Sequence, residues 1–318
     1  MRTELQALRK YTRRAHPLEN VKRWSWIGLR SLLVIGLCFI ILYPLLMKIS
    51  VAFRSQADMY DPTVLWIPKH ITLDNFKKAI KTMDYFTAMK NTFLISAGTT
   101  LLQAVSCALV AYAFARLRYW GSQFLFLLVI FTIVVPPQTI MIPTYLTYRY
   151  FDFFGIARLF GGRGVNLIDT AWPFILSSLL AMGLKNGLYI YIFRQFFRAI
   201  PKELEEAAYV DGCGIGKTFF RIILPNAVPA VVTVMLFSFV WQWNDNYYVS
   251  LYFNKVKVLS TQLGMITTAL HETFGTDPLH VSMIMNTGML LVMAPLILMY
   301  MFAQRYFVES VERTGIVG

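Results

Sequence analysis

An all-α integral membrane protein with six transmembrane helices is what this 318-residue chain predicts. Three observations carry that expectation. Hydrophobic residues make up 57% and charged residues only 15%, whereas soluble domains carry about 25% charged residues. Long apolar runs recur six times, each near the ~20 residues a helix needs to cross hydrocarbon. The thirty Lys and Arg residues, which with seventeen Asp and Glu set a net charge of +13, sit at the edges of those runs. They form no continuous basic face, which argues against a nucleic-acid partner.

The elements follow in order. Residues Met1 to about Trp26 are polar and basic (Arg9, Lys10, Arg13, Arg14, Lys22, Arg23). They read as a retained topogenic tail, solvated or partly an amphipathic surface helix, rather than a secretory signal. The first span is about Ile27–Met47, and Lys48–Lys90 is a polar outer segment. The second span, about Asn91–Ala115, is rich in Ala, Ser and Gly, so neighbouring helices can approach closely. The third, about Ser122–Tyr145, is broken by Pro136-Pro137, which remove two amide donors and kink it. Lipid cannot satisfy the freed carbonyls, so this segment should face protein or a watery path. A glycine-bearing outer loop (Gly155, Gly161, Gly162, Gly164) leads to a fourth span, about Trp172–Phe197. A polar island, residues 198–226, precedes the fifth span, about Val228–Ser250. A second outer loop, Leu251–His280, precedes the sixth, about Met283–Phe302. The organisation is therefore a tail (1–26), a first helix with its outer segment (27–90), a core of five helices (91–303) and a C-terminal tail (304–318).

An even number of spans puts both termini on one side. Seventeen of the Lys and Arg residues fall on the side of the basic tail and twelve on the other, with Lys185 in neither group. The first tail dominates orientation, so both termini and the island are expected in the cytoplasm. Cys38, Cys107 and Cys213 form no pair and read as inert thiols. His16, His70, His271 and His280 lack metal-ligand spacing. No nucleophile–base pair lies in the spans, so no catalytic residue and no metal site is expected.

The island has its own local logic. Pro201 suits a first helical turn, Glu203, Glu205 and Glu206 favour the positive end of a helix, and Gly212 can take a left-handed cap near Val210. A second short helix through Thr218-Phe219-Phe220-Arg221 is limited by Pro225. The result is a helix–turn–helix elbow along the membrane face. The run from Asp211 to Thr218 nearly reads as a phosphate-binding loop, but Asp211 stands where the first glycine belongs and a helix precedes it instead of a strand. ATP is not expected to bind this chain.

Glu206-Ala207-Ala208, three residues, Gly212, nine residues, then Ile222-Ile223-Leu224-Pro225 resembles the EAA loop of binding-protein-dependent ABC importer permeases. Phe193-Arg194-Gln195-Phe196-Phe197, Ile200-Pro201-Lys202-Glu203-Leu204, Trp243-Asn244-Asp245, Gln304-Arg305-Tyr306-Phe307-Val308, Asn91-Thr92 and Val135-Pro136-Pro137-Gln138 resemble the carbohydrate branch, in particular the smaller, maltose-type subunit. The resemblance covers about Lys69 to the end. It implies the type I ABC importer permease fold and a non-catalytic subunit in the cell membrane. ATP and Mg would be used by two partner ATPase subunits, beside a second related permease subunit and an extracytoplasmic solute-binding protein. It also implies that Glu206, Ala207, Ala208, Asp211 and Gly212 contact the ATPase as a coupling helix; the alternative is a cytoplasmic loop with an ordinary capped helix.

Other polar residues fit two readings each. Lys185, between Gly183 and Gly187, is either a contact to sugar or to the partner permease, or a structural pairing at a kink. Asn244 and Asp245 offer sugar-binding groups beside Trp and Tyr, but a helix cap or interhelical hydrogen bonds explain them as well; Gln138 is similar. The loop 251–280 either meets the solute-binding protein or merely connects. The rival class is an ion- or proton-coupled secondary transporter, which needs ionisable groups near the midplane; only Lys185 qualifies.

Overall fold

The computed structural model describes residues 17–155, 164–274 and 277–315. Residues 1–16 of the basic tail, Arg158, Gly161, Gly162 and Arg163 of the first outer loop, and Gly275 and Thr276 of the second lie outside the described residues. The chain divides into two units, Met1–Leu73 and Asp74–Gly318.

The first unit is dominated by helix α1 (Pro17–Phe53). It begins ten residues before the expected start of the first span, so part of the presumed tail is helical. Its apolar side chains stand out from it: Leu32, Ile40 and Ile41 are each about two-thirds exposed or more, a surface that hydrocarbon suits and water does not. After α1 the chain is pinned by polar contacts. Arg54 is buried, and its Nη2 donates to Leu65 O at 2.7 Å and to Ser50 Oγ at 3.1 Å. Ser55 caps the short α2 (Gln56–Tyr60) by accepting from Asp58 N. The buried Asp58 carboxylate then accepts from His70 N at 2.8 Å and meets His70 Nδ1 at 2.7 Å.

The second unit is built around α4 (Tyr85–Arg116), which follows the short α3 (Asp74–Thr82). At 1.5 Å per residue its 32 residues extend for about 48 Å. Small buried residues, among them Ala88, Ala104, Ala108 and Ala111, let α7 (Trp172–Leu179), α8 (Asn186–Ala199) and α12 (Val228–Trp243) pack on it. This is the close approach expected of the second span.

The third span does break at the double proline, and far more sharply than a kink. Helix α5 (Ser122–Val134) and the segment Pro137–Arg149, a 3-10 turn leading into α6 (Met141–Arg149), diverge by 103°. The fourth span is not continuous as expected. It stops at Leu179 and resumes at Asn186, and Ala181 and Lys185 both adopt positive φ, 55° and 61°. The break is tolerable because its polar groups find partners inside the protein. Gln103 Nε2 donates to Leu184 O at 3.1 Å and Ser106 Oγ donates to Ser178 O at 2.6 Å. Ser238 Oγ on α12 donates to Gln103 Oε1 at 2.5 Å, which fixes the glutamine in turn. Gly183 leaves space for it, since a Cβ there would lie 2.6 Å from Gln103 Nε2.

The fifth span also ends early. Helix α12 stops at Trp243, and α13 (Tyr247–Tyr252) follows a short turn. The segment expected as the second outer loop contains the 16-residue α14 (Leu259–Phe274), whose Leu259, Ile266 and Leu270 are buried against Met83, Trp243 and Ile284. The last helix is α15 (Pro278–Gly315). Among the described residues, three helices can cross a membrane by length and composition, Lys22–Phe53, Tyr85–Arg116 and Pro278–Gln304, and up to five can if each bent pair counts as one span. The fourth expected run, interrupted between Leu179 and Asn186, is not among them.

Candidate functional site

The polar island folds as an elbow. After Ile200 the chain enters α9 (Glu203–Val210), turns at Asp211–Gly214, and continues through α10 (Ile215–Thr218), a π-helical turn (Phe219–Ile223) and α11 (Leu224–Asn226). The segment Ile215–Asn226 then meets α12 at 79°. Pro201 lies just ahead of the Lys202 N-cap instead of inside the first turn, and the N–H groups of Glu205 and Glu206 both bond Lys202 O. At the other end Gly212 takes φ +77°. Its N–H bonds Tyr209 O at 3.0 Å, and Cys213 N–H reaches back to Ala208 O at 2.9 Å. These are the two bonds of a Schellman cap, which a residue with a Cβ disfavours.

Helical spacing splits α9 into two faces. Glu205 and Ala208, three apart, are buried; Glu206, Ala207, Val210 and Asp211 are exposed, Val210 to 88%. Of the five residues that the resemblance points to, four thus lie on the outer surface. Ala208, only 3% exposed, packs inward, where its small size lets α9 lie close to the bundle. Leu204 and Ile215 add exposed apolar surface that the sequence reading did not single out.

The inward face of α9 is held by the last turn of α4. Arg116 Nε lies 2.9 Å from Glu205 Oε1, with the two side chains only 5% and 9% exposed. The alignment falls short of a good hydrogen bond; the pair is held by charge. Arg116 Nη2 also donates to Ile200 O at 2.5 Å. Burial pushes the Glu205 carboxyl above its usual range, while Arg116 and then Lys202 oppose that shift. One turn back on α4, Tyr112 packs tilted against Phe219 (5.0 Å between ring centres) and edge-on to Phe197 (6.2 Å) in a buried aromatic cluster beneath the elbow. None of these contacts was anticipated from sequence. The signal available was the three-residue spacing of Glu205 and Ala208, which separates Glu205 from the neighbouring Glu206.

The other polar candidates are scattered. Gln138 is exposed in the 3-10 turn after the double proline. Lys185 is at the break that precedes α8, not within a helix, and its Nζ lies 4.8 Å above the Trp241 ring, a cation–π contact. Asn244 is exposed and donates to Val240 O. Asp245 is buried, and its Oδ1 accepts from the N–H groups of Tyr247 and Tyr248 at the start of α13. Among the described residues, no hydrogen bond or ion pair joins any two of these four. No cluster of metal-ligating side chains occurs among them either. An open groove of about 350 Å³ between α4, α12 and α15 is lined by apolar side chains such as Leu101, Met235 and Phe239, and offers little for a hydroxylated solute.

The run Asp211–Thr218 is a helix cap and a helical turn, a geometry unlike the strand-to-helix loop that cradles phosphate.

Residues 89–313 match the family described as "Binding-protein-dependent transport system inner membrane component". Full-length relatives include the osmoprotective compounds uptake permease protein GgtD of Synechocystis sp., 28% identical over 96% of this chain and 97% of its own. The arabinooligosaccharides transport system permease protein AraQ of Halalkalibacterium halodurans is 27% identical over 94% of this chain and all of its own. Among solved structures, a chain of a bacterial ABC transporter involved in the import of the acidic polysaccharide alginate superposes with a TM-score of 0.71. That match covers 89% of this chain and 97% of the other at 20% identity, a likeness of fold.

Proposed function

This chain belongs to the binding-protein-dependent transport system inner membrane component family, and on that premise we propose that it is a permease subunit of an ATP-driven carbohydrate importer. Several relatives carry names of oligosaccharide permeases, which supports the solute class. The observation that carries the mechanism is the elbow. A short, capped helix presents Glu206, Ala207, Val210 and Asp211 outward, and the elbow's second half, Ile215–Asn226, meets the apolar α12 at 79°. Such a surface suits a groove on a partner protein. Ala207 permits close approach, Val210 gives an apolar anchor, and Glu206 and Asp211 meet a basic rim.

In this reading two ATPase subunits sit beneath this chain and a second, related permease. A solute-loaded binding protein docks on the far side, and both termini lie in the cytoplasm with the ATPases. Closure of the ATPase dimer displaces the elbow, and the helices exchange inward-open for outward-open arrangements. The chain itself does no covalent chemistry. Gln138, Lys185, Asn244 and Asp245 remain candidates for the solute path, Asp245 Oδ1 also accepting from the start of α13. Gly212→Glu tests the proposal in the assembled transporter. The positive φ and the added charge should leave the chain inserted but abolish uptake. Uptake at the wild-type rate would overturn the elbow assignment.

A further inference from the structure

We infer that Arg116 and Glu205 form a positioning pair that transmits movement of the elbow into α4. This rests on the proposal that the elbow is the surface an ATPase moves. A displaced helix moves its neighbours only where it is attached firmly, and beside the apolar packing of Ile200, Phe219 and Ile223 the elbow is tied to α4 by specific contacts. The last two turns of α4 grip the elbow at its entry, in its first helix and at its exit. Arg116 donates to Ile200 O at the entry and lies 2.9 Å from Glu205 in α9, and Tyr112 packs on Phe219 at the exit. The Arg116–Glu205 contact joins two side chains buried to more than nine-tenths, where little water competes for either charge and the attraction is weakly screened. The planar guanidinium donates to Ile200 O and holds Glu205 by charge, so one side chain ties α4 both to the entry of the elbow and to α9.

Beyond this grip α4 runs as one unbroken helix to Tyr85. There Asp84, its N-cap residue, pairs with Lys257 at 3.0 Å, and Asn91 donates to Lys257 O at 2.9 Å. A tilt imposed at Arg116 is therefore delivered at the opposite end of the bundle, to the segment that leads into α14. The other outward residues of the elbow bind the motor in this scheme. Glu205, turned away from that surface, has a different task.

The experiment uses the whole transporter in proteoliposomes and reads two quantities: retention of the ATPase subunits on purification, and solute moved per ATP hydrolysed. Glu205→Gln and Arg116→Gln should keep the ATPase subunits and lower the solute-to-ATP ratio by at least about fivefold, the lower edge of usual coupling free energies. Arg116→Lys, which keeps the charge but loses the fork, should fall between. The double exchange Arg116→Glu with Glu205→Arg restores an acid and a base at the same two positions, though not the donor to Ile200 O, and should recover part of the ratio. It also keeps the test decisive where a single variant inserts poorly. An unchanged ratio in both single variants, or a double exchange no better than either, overturns the inference. So does loss of the ATPase subunits, since the pair would then serve only to shape the docking surface. If Gly212→Glu abolishes uptake while the pair variants keep the ratio, the elbow reading stands and the link falls. If Gly212→Glu leaves uptake intact, both fall.

Discussion

Gly187→Ala sets two opposite effects against each other at a known place. The residue lies in the first turn of α8, facing α5. A Cβ there would lie 2.3 Å from Thr132 Oγ1, 2.9 Å from the backbone oxygen of Val129 and 3.1 Å from Ile133 Cγ1. The threonine cannot simply swing clear at no cost, because its hydroxyl donates to Val129 O at 2.7 Å. The carbonyl belongs to helix backbone, so α5 and α8 must part by roughly 0.5 Å to restore ordinary contact. Overpacking of this kind costs about 1–3 kcal/mol. Against it, alanine is favoured over glycine in a helix by up to about 1 kcal/mol. With the full offset the net is a loss of up to about 2 kcal/mol. At about 2–4 °C per kcal/mol for a unit of this size, the unfolding midpoint should fall by up to about 8 °C. The assay is thermal unfolding of the purified protein in detergent, followed by tryptophan fluorescence. Gly98→Ala is the control: it lies in α4 with nothing within 4 Å of its Cβ position, so its midpoint should hold or rise. If Gly187→Ala behaves like Gly98→Ala, the close α5–α8 contact is not present in the folded protein.

Three other outcomes are expected. Gly212→Ala meets no steric obstacle but strains a backbone at φ +77°, costing about 1 kcal/mol; hydrogen exchange should quicken in Glu203–Cys213 alone, and unchanged protection there would argue against the Schellman cap. Gln103→Leu strands Leu184 O and removes a partner of Ser238, so stability should drop by about 1 kcal/mol, the scale of hydrogen bonds between membrane helices. A double-mutant cycle with Ser238→Ala should then show coupling, and strict additivity would refute the contact. Asp169 accepts from Lys255 N and Asn254 N, and these bonds hold its carboxyl below the usual range. A depressed folded pKa means the stabilisation is complete above the ordinary carboxylate value near 3.9 and is lost as pH falls through the lower one. Protection of the Asn254 and Lys255 amides, corrected for intrinsic exchange, should be flat from pH 7 to about 5 and collapse only in strong acid. In Asp169→Asn it should be weaker and independent of pH.

The sequence was most informative where special backbone chemistry marks a place. Gly212 announced its cap, and Pro136-Pro137 announced the break after α5, because lost donors and positive φ restrict which residues can stand there. It was least informative where structure depends on distant partners. The interruption between Leu179 and Asn186 has no proline. Ala181 and Lys185 hold positive φ because Gln103 and Ser106, some eighty residues earlier, take up the carbonyls that the break releases. The run that forms α14 is too polar to span a membrane and reads as a loop, yet Leu259, Ile266 and Leu270 repeat at helical spacing and bury one stripe. At the elbow, the motif located the surface but not its division into faces. Motif spacing treats Ala207 and Ala208 alike, whereas helix geometry turns one outward and the other inward.

A single pattern in α4 explains why a bundle with so many broken helices holds together. Thr92, Ser96, Thr99, Gln103 and Ser106 are all buried and recur at alternating steps of four and three, so they line one face. In a soluble helix the buried face is apolar; here polar groups are turned inward, away from lipid. Breaking a helix in a membrane releases backbone groups that lipid cannot satisfy, and this stripe meets several of them. Thr92 Oγ1 accepts from Leu259 N at the start of α14, Gln103 serves Leu184 O, and Ser106 serves Ser178 O. The breaks and the stripe are therefore one feature seen from two sides: α7, α8 and α14 can be interrupted or begin in the interior because α4 is not. The same continuity suits α4 to carry a displacement from Arg116 to Asp84, since an interrupted helix would absorb the movement at its break.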